Sequence, residues 1–496
     1  MKSLDEYYFS PRHLLIYFVF FTTCIILISL GQQTYSESIG LENSSIILSD
    51  TMFDSINPHF SVSDNSIYST WVGDLSPNNS EILFKKVDEN AKSLSSAVNI
   101  SNATGISNLV KLSSSDDNVY LTWEDKQTDK WKLLFSKSHD EGIKFGTITN
   151  LSNDTGNVHL HDLASAGKNV FVVWAANENI SSSNKEIFFR KSQDVGNSFD
   201  NVLNLSNDSD DSLDPHMIIN QNGSIIYIVW TKCDTKHDDP NCSVAFTRSL
   251  DQGNSFTNTS IIDTDNVISQ GSNITSRNTI LDSNSSMLPP YLSDSLTVHG
   301  TFSSINPIVF TTLGGKQVYV LWEENTFGRG DSEIFMKSSN DYGNSFNSAI
   351  NISNSYGTSR LAHGHIFGED LYVTWADTLN QSGTFDIMLR KINAKNQLGK
   401  VLNLSNNSGN SVSPYLWINN NDTIYVTWID STNDSSILLT TIDPSESTFT
   451  KKILKSEQTG EFTNPMIFET ADKLWISWTE SNNDVNKIVL MDQEKS

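Results

Sequence analysis

The sequence predicts an all-β protein, a β-propeller built from four-stranded antiparallel blades, and three observations support this prediction. An alternating apolar run that ends in Trp returns eight times along the chain. These Trp residues are 50–56 residues apart, except for one interval of 92 residues. Each Trp run is surrounded by the same order of short apolar segments and polar turns. Repetition of one supersecondary unit at such a period is typical of propeller blades.

The Trp runs are the predicted second strands. Their β-branched and aromatic residues alternate at a period of two, which favours strands. The runs end at Trp71, Trp123, Trp174, Trp230, Trp322, Trp375, Trp428 and Trp478.

The other three strands of each blade flank the Trp run. A shorter apolar segment, often opened by Pro, lies about fourteen residues upstream and is the first strand. A third strand follows the Trp after a polar turn, and a fourth reaches a recurring Asn-Leu/Ile-Ser segment. The long interval between Trp230 and Trp322 contains an insertion, at about 258–304.

The two ends of the repeat complete each other. The eighth unit stops after its third strand, Lys487–Met491, and a separate strand, Ser44–Asp50, precedes the first unit. Pairing the two would close the array and remove exposed strand edges. We therefore predict one propeller domain over residues 37–496, with eight blades and an N-terminal strand completing the last. Seven blades, with one unit diverted elsewhere, is the alternative.

Residues 1–36 form a leader. Their apolar run, Leu14–Gly31, is longer than most signal-peptide cores and slightly shorter than most spanning helices. Lys2 and Arg12 precede this run and Glu37 follows it, so the body is predicted to be exported. The leader is either a cleaved signal peptide or a retained N-terminal membrane anchor. The protein is accordingly secreted or held at the cell surface.

The body contains one pair of cysteines, Cys233 and Cys242, which flank a turn-like segment. A disulfide across a hairpin loop is the favoured prediction and agrees with export. Two free thiols, or a metal site with His237, Asp238 and Asp239, are the alternatives.

The charge balance excludes nucleic acid as a partner. The chain has 33 basic and 58 acidic residues and a formal net charge of −25, so it offers no basic face for phosphate binding. A glycan or protein ligand is expected instead, and membrane contact only through an uncleaved leader.

Sequons of the form Asn-x-Ser/Thr are frequent, and glycosylation is expected for an exported chain. Many recur because Asn-Leu/Ile-Ser-Asn belongs to the repeat. They include Asn99, Asn102, Asn150, Asn153, Asn204, Asn207, Asn351, Asn403 and Asn406.

Four turns between third and fourth strands share the pattern Ser-x-Asp-x-Gly-x-x-Phe. Their residues are Ser138, Asp140, Gly142 and Phe145; Ser192, Asp194, Gly196 and Phe199; Ser249, Asp251, Gly253 and Phe256; and Ser339, Asp341, Gly343 and Phe346. The pattern resembles the Asp box, or BNR repeat, of sialidase-like propellers. Asp is expected to accept backbone N–H groups, Gly to adopt positive φ, and Phe to pack under its own hairpin. The boxes are therefore predicted to be structural.

Antiparallel alternation places two sets of loops on one face, which we call the top face. These loops join second to third strands and fourth strands to the next blade, and the Asp boxes lie on the opposite face. Carboxylates follow the Trp at Asp74, Asp125, Glu324, Asp377, Asp430 and Glu480. Histidines occupy first strands at His59, His159, His161, His216, His363 and His365.

These top-face residues have two interpretations. The favoured one is structural, with acids capping turns and histidines filling strand starts. The alternative is a divalent-metal site in which His59, His216 and His363 combine with Asp377 or Asp430, a ligand set suited to zinc or copper.

The resemblance also implies an enzymatic alternative. A sialidase-like hydrolase needs three clustered arginines, and Arg277, Arg329 and Arg360 are the three that map to top-face loops. The arginine-containing segment that opens such enzymes is missing, so a non-catalytic member is favoured. The predicted function is a cell-surface binding or scaffold protein that uses its top-face loops. A sialidase-type glycoside hydrolase and a purely structural envelope component are the alternatives.

Overall fold

The computed structural model describes residues 37–39, 45–49, 54–63, 66–76, 78–88, 96–126, 130–153, 155–177, 184–234, 241–263, 303–325, 332–379, 383–432, 434–443, 449–457, 460–482 and 485–495. Tyr35–Ser496 is one compact unit. The predicted leader and most of the predicted insertion fall outside the described ranges. Within those ranges, no helix is long and apolar enough to cross a membrane.

The described chain is all-β, and four-stranded antiparallel units follow one another after two short strands, β1 (Glu37–Ile39) and β2 (Ser45–Ile47). Unit one contains β3 (Asp54–Ser63), β4 (Ser66–Ser76), β5 (Asn79–Asp88) and β6 (Val98–Asn99). Unit two contains β7 (Ile106–Ser115), β8 (Asn118–Lys126), β9 (Lys132–Ser138) and β10 (Thr149–Asn150). Unit three contains β11 (Val158–Ala166), β12 (Asn169–Asn177), β13 (Lys185–Ser192) and β14 (Leu203–Asn204). Unit four contains β15 (Asp211–Ile219), β16 (Ile226–Cys233), β17 (Cys242–Ser249) and β18 (Ser260–Ile261).

The later units repeat this order. Unit five contains β19 (Ser303–Thr311), β20 (Val318–Asn325), β21 (Glu333–Ser339) and β22 (Ile350–Asn351). Unit six contains β23 (Ser359–Phe367), β24 (Asp370–Asp377), β25 (Asp386–Ile392) and β26 (Leu402–Asn403). Unit seven contains β27 (Ser411–Ile418), β28 (Ile424–Asp430), β29 (Ser435–Ile442) and β30 (Phe449–Glu457). Unit eight contains β31 (Glu461–Glu469), β32 (Leu474–Asn482) and β33 (Val485–Gln493).

The second strand of each unit lies between the first and third strands and carries the repeated Trp. All eight of these Trp side chains are at most 1% exposed. They belong to apolar clusters that join one unit to the next, as Trp174 of unit three packs with Tyr120 of unit two. One cluster joins the last unit to the first, because Trp475 and Leu490 pack with Trp71. The apolar core therefore lies between units.

The N-terminal strand pairs with the last unit, as predicted. Ile46 of β2 lies opposite Leu490 of β33 in an antiparallel pair. Leu48, just after β2, is fully buried. Its N–H donates to the carbonyl of Ile488 at 2.9 Å. β1 adds a parallel strand to β30 of unit seven. The N-terminal segment thus supplies outer strands to two successive units.

The disulfide prediction is confirmed. Cys233 ends β16, Cys242 begins β17, and the two residues are paired across the strands and bonded through sulfur. Both are 2% exposed. Since the sulfurs are bonded to each other, the free-thiol and metal alternatives do not hold; His237, Asp238 and Asp239 lie outside the described residues.

The Asp boxes have the predicted internal hydrogen bonds. Ser192 Oγ donates to Asp194 Oδ1 at 2.7 Å and accepts the N–H of Gly196 at 2.8 Å, and Asp194 Oδ1 also accepts the N–H of Ser198 at 2.9 Å. Gly196 has φ +74°. The boxes at Ser138, Ser249 and Ser339 repeat this network.

The Phe of each box also contacts the preceding unit. Phe199 packs edge-on against Phe135, in the third strand of that unit, and lies against an apolar cluster that includes Phe188 of its own unit. Lys137 of the same preceding strand donates from Nζ to the carbonyl of Val195 at 2.9 Å and to Asn197 Oδ1 at 2.6 Å. The box therefore fastens two neighbouring units together.

Candidate functional site

The carboxylates that follow the Trp accept hydrogen bonds within their own sheets. Asp377 Oδ2 accepts hydrogen bonds from Trp375 Nε1 at 3.0 Å and from Ser359 Oγ at 2.8 Å. Asp430 Oδ2 accepts from Ser411 Oγ at 2.7 Å. The same contact recurs between Ser107 and Asp125 and between Ser304 and Glu324. Asp377 is 1% exposed, so these groups are structural acceptors.

Each first strand carries a β-bulge at which one residue has positive φ. These residues are Asn57, Leu109, Leu160, Asp214, Asn306, Leu361, Ser413 and Asn464. The residue two positions later is half-buried in every unit, and we call these eight the inner residues: His59, Lys111, Asp162, His216, Ile308, His363, Tyr415 and Met466. First strands of neighbouring units contact one another, so the inner residues of successive units lie side by side.

Two of the inner histidines, His216 and His363, accept hydrogen bonds from the backbone of the following unit. His363 Nδ1 accepts the N–H of Leu416 at 3.3 Å, and His216 Nδ1 accepts the N–H of Val309 at 3.4 Å. Leu416 and Val309 each directly follow the inner residue of their own strand. The imidazole of one unit thus satisfies a backbone donor of the next.

These imidazoles are neutral. A ring nitrogen that accepts a hydrogen bond carries no proton. Burial lowers the pKa of His363 to about 3, and burial together with the charge of Lys111 lowers that of His59 to about 3.

An ion pair joins the inner residues of units two and three. Lys111 Nζ lies 4.0 Å from Asp162 Oδ1, while Asp162 Oδ2 accepts the N–H of Met217 in the next unit at 3.0 Å. Burial alone would raise the pKa of Asp162, but Lys111, His216 and the backbone donors outweigh it and lower the pKa. Asp162 is therefore a charged acceptor held between two neighbouring strands.

Aromatic rings pair between units six and seven. The ring centroids of His363 and Tyr415 are 4.0 Å apart, and those of His365 and Trp417 are 5.0 Å apart. Trp417 donates from Nε1 to Glu469 Oε2 at 3.0 Å. All four rings are half-buried, so part of this aromatic surface stays accessible.

The other predicted histidines lie nearby in unit three. His161 is 3% exposed, and its Nδ1 lies 3.5 Å from Oε1 of the buried Glu124. His159 is exposed at the start of β11. This pair extends the polar region of units one to three, where Lys111 and Asp162 also lie.

The predicted metal ligands are not brought together. His59, His216 and His363 occupy equivalent inner positions, but Asp377 and Asp430 lie in the strand-end networks described above. Within the described ranges, no three His, Cys, Asp or Glu side chains are grouped as a metal site. His216 and His363 act instead as hydrogen-bond acceptors between units.

Of the three arginines in the predicted cluster, only Arg360 lies within the described residues. Arg360 lies in β23, and its charge acts on the buried Glu323 of the preceding unit, whose pKa is raised by burial. Glu323 Oε1 accepts the N–H of Leu361 at 2.9 Å. Arg277 and Arg329 lie outside the described residues, so a cluster of three stays a prediction.

Sequence reasoning missed Lys111, Asp162, Tyr415 and Trp417. The signal was present, because Lys111, Asp162 and Tyr415 stand at the repeat position of the predicted histidines. Alignment of the first strands by their distance from the Trp of the same unit, 12–14 residues, would have found them. Trp417, two residues further, required the structure because its role depends on His365 of another unit.

Solved structures similar to this chain cover most of its length. One is a protein of unknown function from Dyadobacter fermentans, with 11% identity, 91% of this chain and 98% of that chain covered, and a TM-score of 0.43. Another is an ulvan lyase bound to a glucuronic acid–sulfated rhamnose unit, with 10% identity, coverage of 91% and 96%, and a TM-score of 0.49. A third is the NanB sialidase from Streptococcus pneumoniae, with 9% identity, coverage of 92% and 98%, and a TM-score of 0.37. No family model and no curated protein matches the chain.

Proposed function

We propose that the chain is an exported β-propeller of eight blades that binds a glycan or a protein ligand at the cell surface through its top face. The eight-blade ring is supported by the apolar cluster that joins unit eight to unit one, in which Leu48, Trp71 and Trp475 are fully buried. It is also supported by the first strands, because β31 contacts β3 as each earlier first strand contacts the next.

Export is supported by two features. The leader over residues 1–36 has the charge pattern of an exported chain, and the disulfide between Cys233 and Cys242 suits an oxidising compartment. The protein is secreted if the leader is cleaved, or N-terminally anchored if it is retained.

The observation that carries the binding role is the set of half-buried side chains that successive first strands bring together. The His363–Tyr415 and His365–Trp417 pairs supply aromatic surface, and Lys111 and Asp162 supply opposite charges. Ligand sites combine aromatic surface with a few fixed polar groups. Sugar rings and protein side chains both present the matching apolar faces and hydrogen-bonding edges.

A binding role is favoured over a catalytic one because the inner histidines hold the structure together. His216 and His363 accept backbone N–H groups and stay neutral, so their Nδ1 atoms are committed to structure. A sialidase-type hydrolase using Arg277, Arg329 and Arg360 is the first alternative. A purely structural envelope component is the second.

The test is a glycan array and titration calorimetry on residues 37–496, with wild type beside Trp417→Ala. We expect the variant to lose at least tenfold in affinity, since a half-buried aromatic contact is removed. Tyr342→Ala is the control, because Tyr342 is a partly exposed aromatic of an Asp box and should leave binding unchanged. Release of sialic acid from a sialoside would favour the hydrolase, and no ligand in either assay would favour the structural component.

A further inference from the structure

Sequons occur in pairs at the end of the fourth strand in four units, and three of these pairs lie entirely within the described residues. The members are three residues apart and share the repeated Asn-Leu/Ile-Ser-Asn segment. The three fully described pairs are Asn99 and Asn102 in unit one, Asn204 and Asn207 in unit three, and Asn403 and Asn406 in unit six. The fourth pair is Asn150 and Asn153 in unit two, where Asp154 lies outside the described residues.

The hydroxyl of the first sequon is buried, and it both donates and accepts a hydrogen bond within the protein. In unit three, Ser206 is 9% exposed; its Oγ donates to Glu186 Oε2 and accepts the N–H of Ile187 at 2.9 Å. Asn204 Oδ1 accepts the N–H of Asn207 at 2.9 Å. The first sequon is therefore part of a network inside its own sheet.

The fully described pairs of units one and six repeat this network. In unit six, Ser405 is 1% exposed and donates to Asp386 Oδ1 at 2.6 Å, while Asn403 donates from Nδ2 to Asp386 Oδ2 at 3.0 Å. In unit one, Ser101 donates to Glu81 Oε2. Ser101 is 6% exposed.

The second sequon of each of these three fully described pairs is open to solvent. Asn207 and Ser209 are both exposed, as are Asn102 with Thr104 and Asn406 with Ser408. Asn102, Asn207 and Asn406 have φ between 41° and 45°, in the left-handed region that is common in turns. Acceptor amide and sequon hydroxyl are therefore accessible together.

We propose that Asn102, Asn207 and Asn406 are the N-glycan acceptors of these pairs, and that Asn99, Asn204 and Asn403 stay unmodified in the folded protein. This assignment rests on the export part of the proposed function. An acceptor sequon needs an accessible hydroxyl beside its Asn, and only the second member provides one.

The chemistry requires a lipid-linked oligosaccharide phosphate as donor. The amide nitrogen of Asn bonds to C1 of the first sugar and loses one proton. The bond from C1 to the phosphate oxygen breaks, and the lipid phosphate leaves with the electron pair.

Unit five supplies a natural control. Asn351 occupies the first position, with Ser353 5% exposed and donating to Glu333. Asn354 is followed by Ser355 and Tyr356, so it forms no sequon. Asn351 should therefore stay unmodified although no second sequon competes with it.

The experiment uses the full chain, produced without glycans and folded. It is incubated with an oligosaccharyltransferase specific for Asn-x-Ser/Thr and a lipid-linked oligosaccharide, then with peptide-N-glycosidase in H₂¹⁸O. Mass spectrometry should find ¹⁸O-labelled Asp at positions 102, 207 and 406 and unchanged Asn at positions 99, 204, 351 and 403. In the reduced and denatured chain, both the first and the second Asn of each pair should be labelled. Label at the first positions of the folded chain, or none at the second, would overturn the assignment.

A variant separates burial from competition between neighbouring sequons. Ser209→Ala removes the exposed sequon of Asn207 and leaves the network of Ser206 intact. We expect Asn204 to stay bare in the folded variant; its modification would show that competition, not burial, had protected it. Because transfer is done on purified protein, failure here would leave the ligand-binding test of the proposed function unaffected.

Discussion

Phe199, in the Asp box of unit three, packs edge-on against Phe135 of unit two, with ring centroids 4.9 Å apart. Three further boxes repeat the contact, as Phe145 with Phe84, Phe256 with Phe189, and Phe346 with Phe246. The motif that defines the turn therefore also fixes the distance between neighbouring units.

Because of this contact, we expect the glycine of the box to tolerate no larger side chain without a loss of stability. A Cβ on Gly196 would lie 2.8 Å from the ring of Phe135, and the residue has φ +74°. Gly196→Ala should therefore lower the free energy of unfolding by about 2–4 kcal/mol, from backbone strain plus overpacking. The control is Gly167→Ala, at φ +53° with nothing within 4 Å, which should cost about 1 kcal/mol. Urea unfolding measures both, and equal losses would contradict a steric role for Phe135.

The N-terminal strand provides a second matched pair. Leu48 is fully buried between units eight and one, whereas its neighbour Ile47 is 44% exposed. Leu48→Ala should cost about 2–5 kcal/mol because it leaves a cavity, and Ile47→Ala less than about 1 kcal/mol. Deletion of residues 1–50 should lower the Tm far more than deletion of residues 1–36. A chain lacking residues 1–50 that melts like the longer one would show that β2 does not stabilise unit eight.

Because the inner histidines are buried and neutral, we expect the folded protein to lose stability at mildly acid pH. The pKa of His363 is about 3 in the folded protein, below the ordinary value of about 6.5. The unfolded chain therefore binds the proton first, so the His363 contribution is complete above pH about 6.5 and declines as the pH falls towards 3.

His363→Gln, which keeps a neutral acceptor, should reduce this decline. Between pH 6.5 and 4.5 the expected difference is about 2 kcal/mol, read as a smaller fall in Tm than in wild type. The exposed His139 supplies the control, since His139→Gln should follow the wild-type curve. If His363→Gln also follows it, the buried imidazole is not the source.

The hydrogen-bonded carboxylates of the Asp boxes lead us to expect a second loss of folding stability, at lower pH. Hydrogen bonds from Ser198 and Ser192 lower the pKa of Asp194 to about 2. Its contribution to stability is therefore complete above pH about 4 and is lost as the pH falls from 4 towards 2. Asp194→Asn should be less stable than wild type at pH 7, and the difference should shrink by pH 2. Asp117→Asn, at an exposed turn, should show no such convergence in thermal melts.

The strands and most of their pairing partners could be predicted because they lie close together in the chain. Period-two alternation located the second strand of every unit. The pairing of Ser44–Asp50 with the last unit is distant in sequence, and it could be predicted because that unit lacks its fourth strand. Cys233 and Cys242 were predictable for the same reason, since both border one hairpin. The role of Asp377 was predicted only in outline, because its Ser359 and Trp375 partners depend on strand register.

By itself the sequence determined the repeat, the all-β class and the hydrogen bonds within each Asp box, since these depend on residues close together in the chain. Only the tertiary structure decided that Phe199 meets Phe135, that His363 accepts from Leu416, and that Trp417 lies beside His365. Those contacts join residues of different units that are about 50 or more positions apart. Their geometry depends on how two sheets pack face to face, a property of both surfaces together that no single repeat encodes.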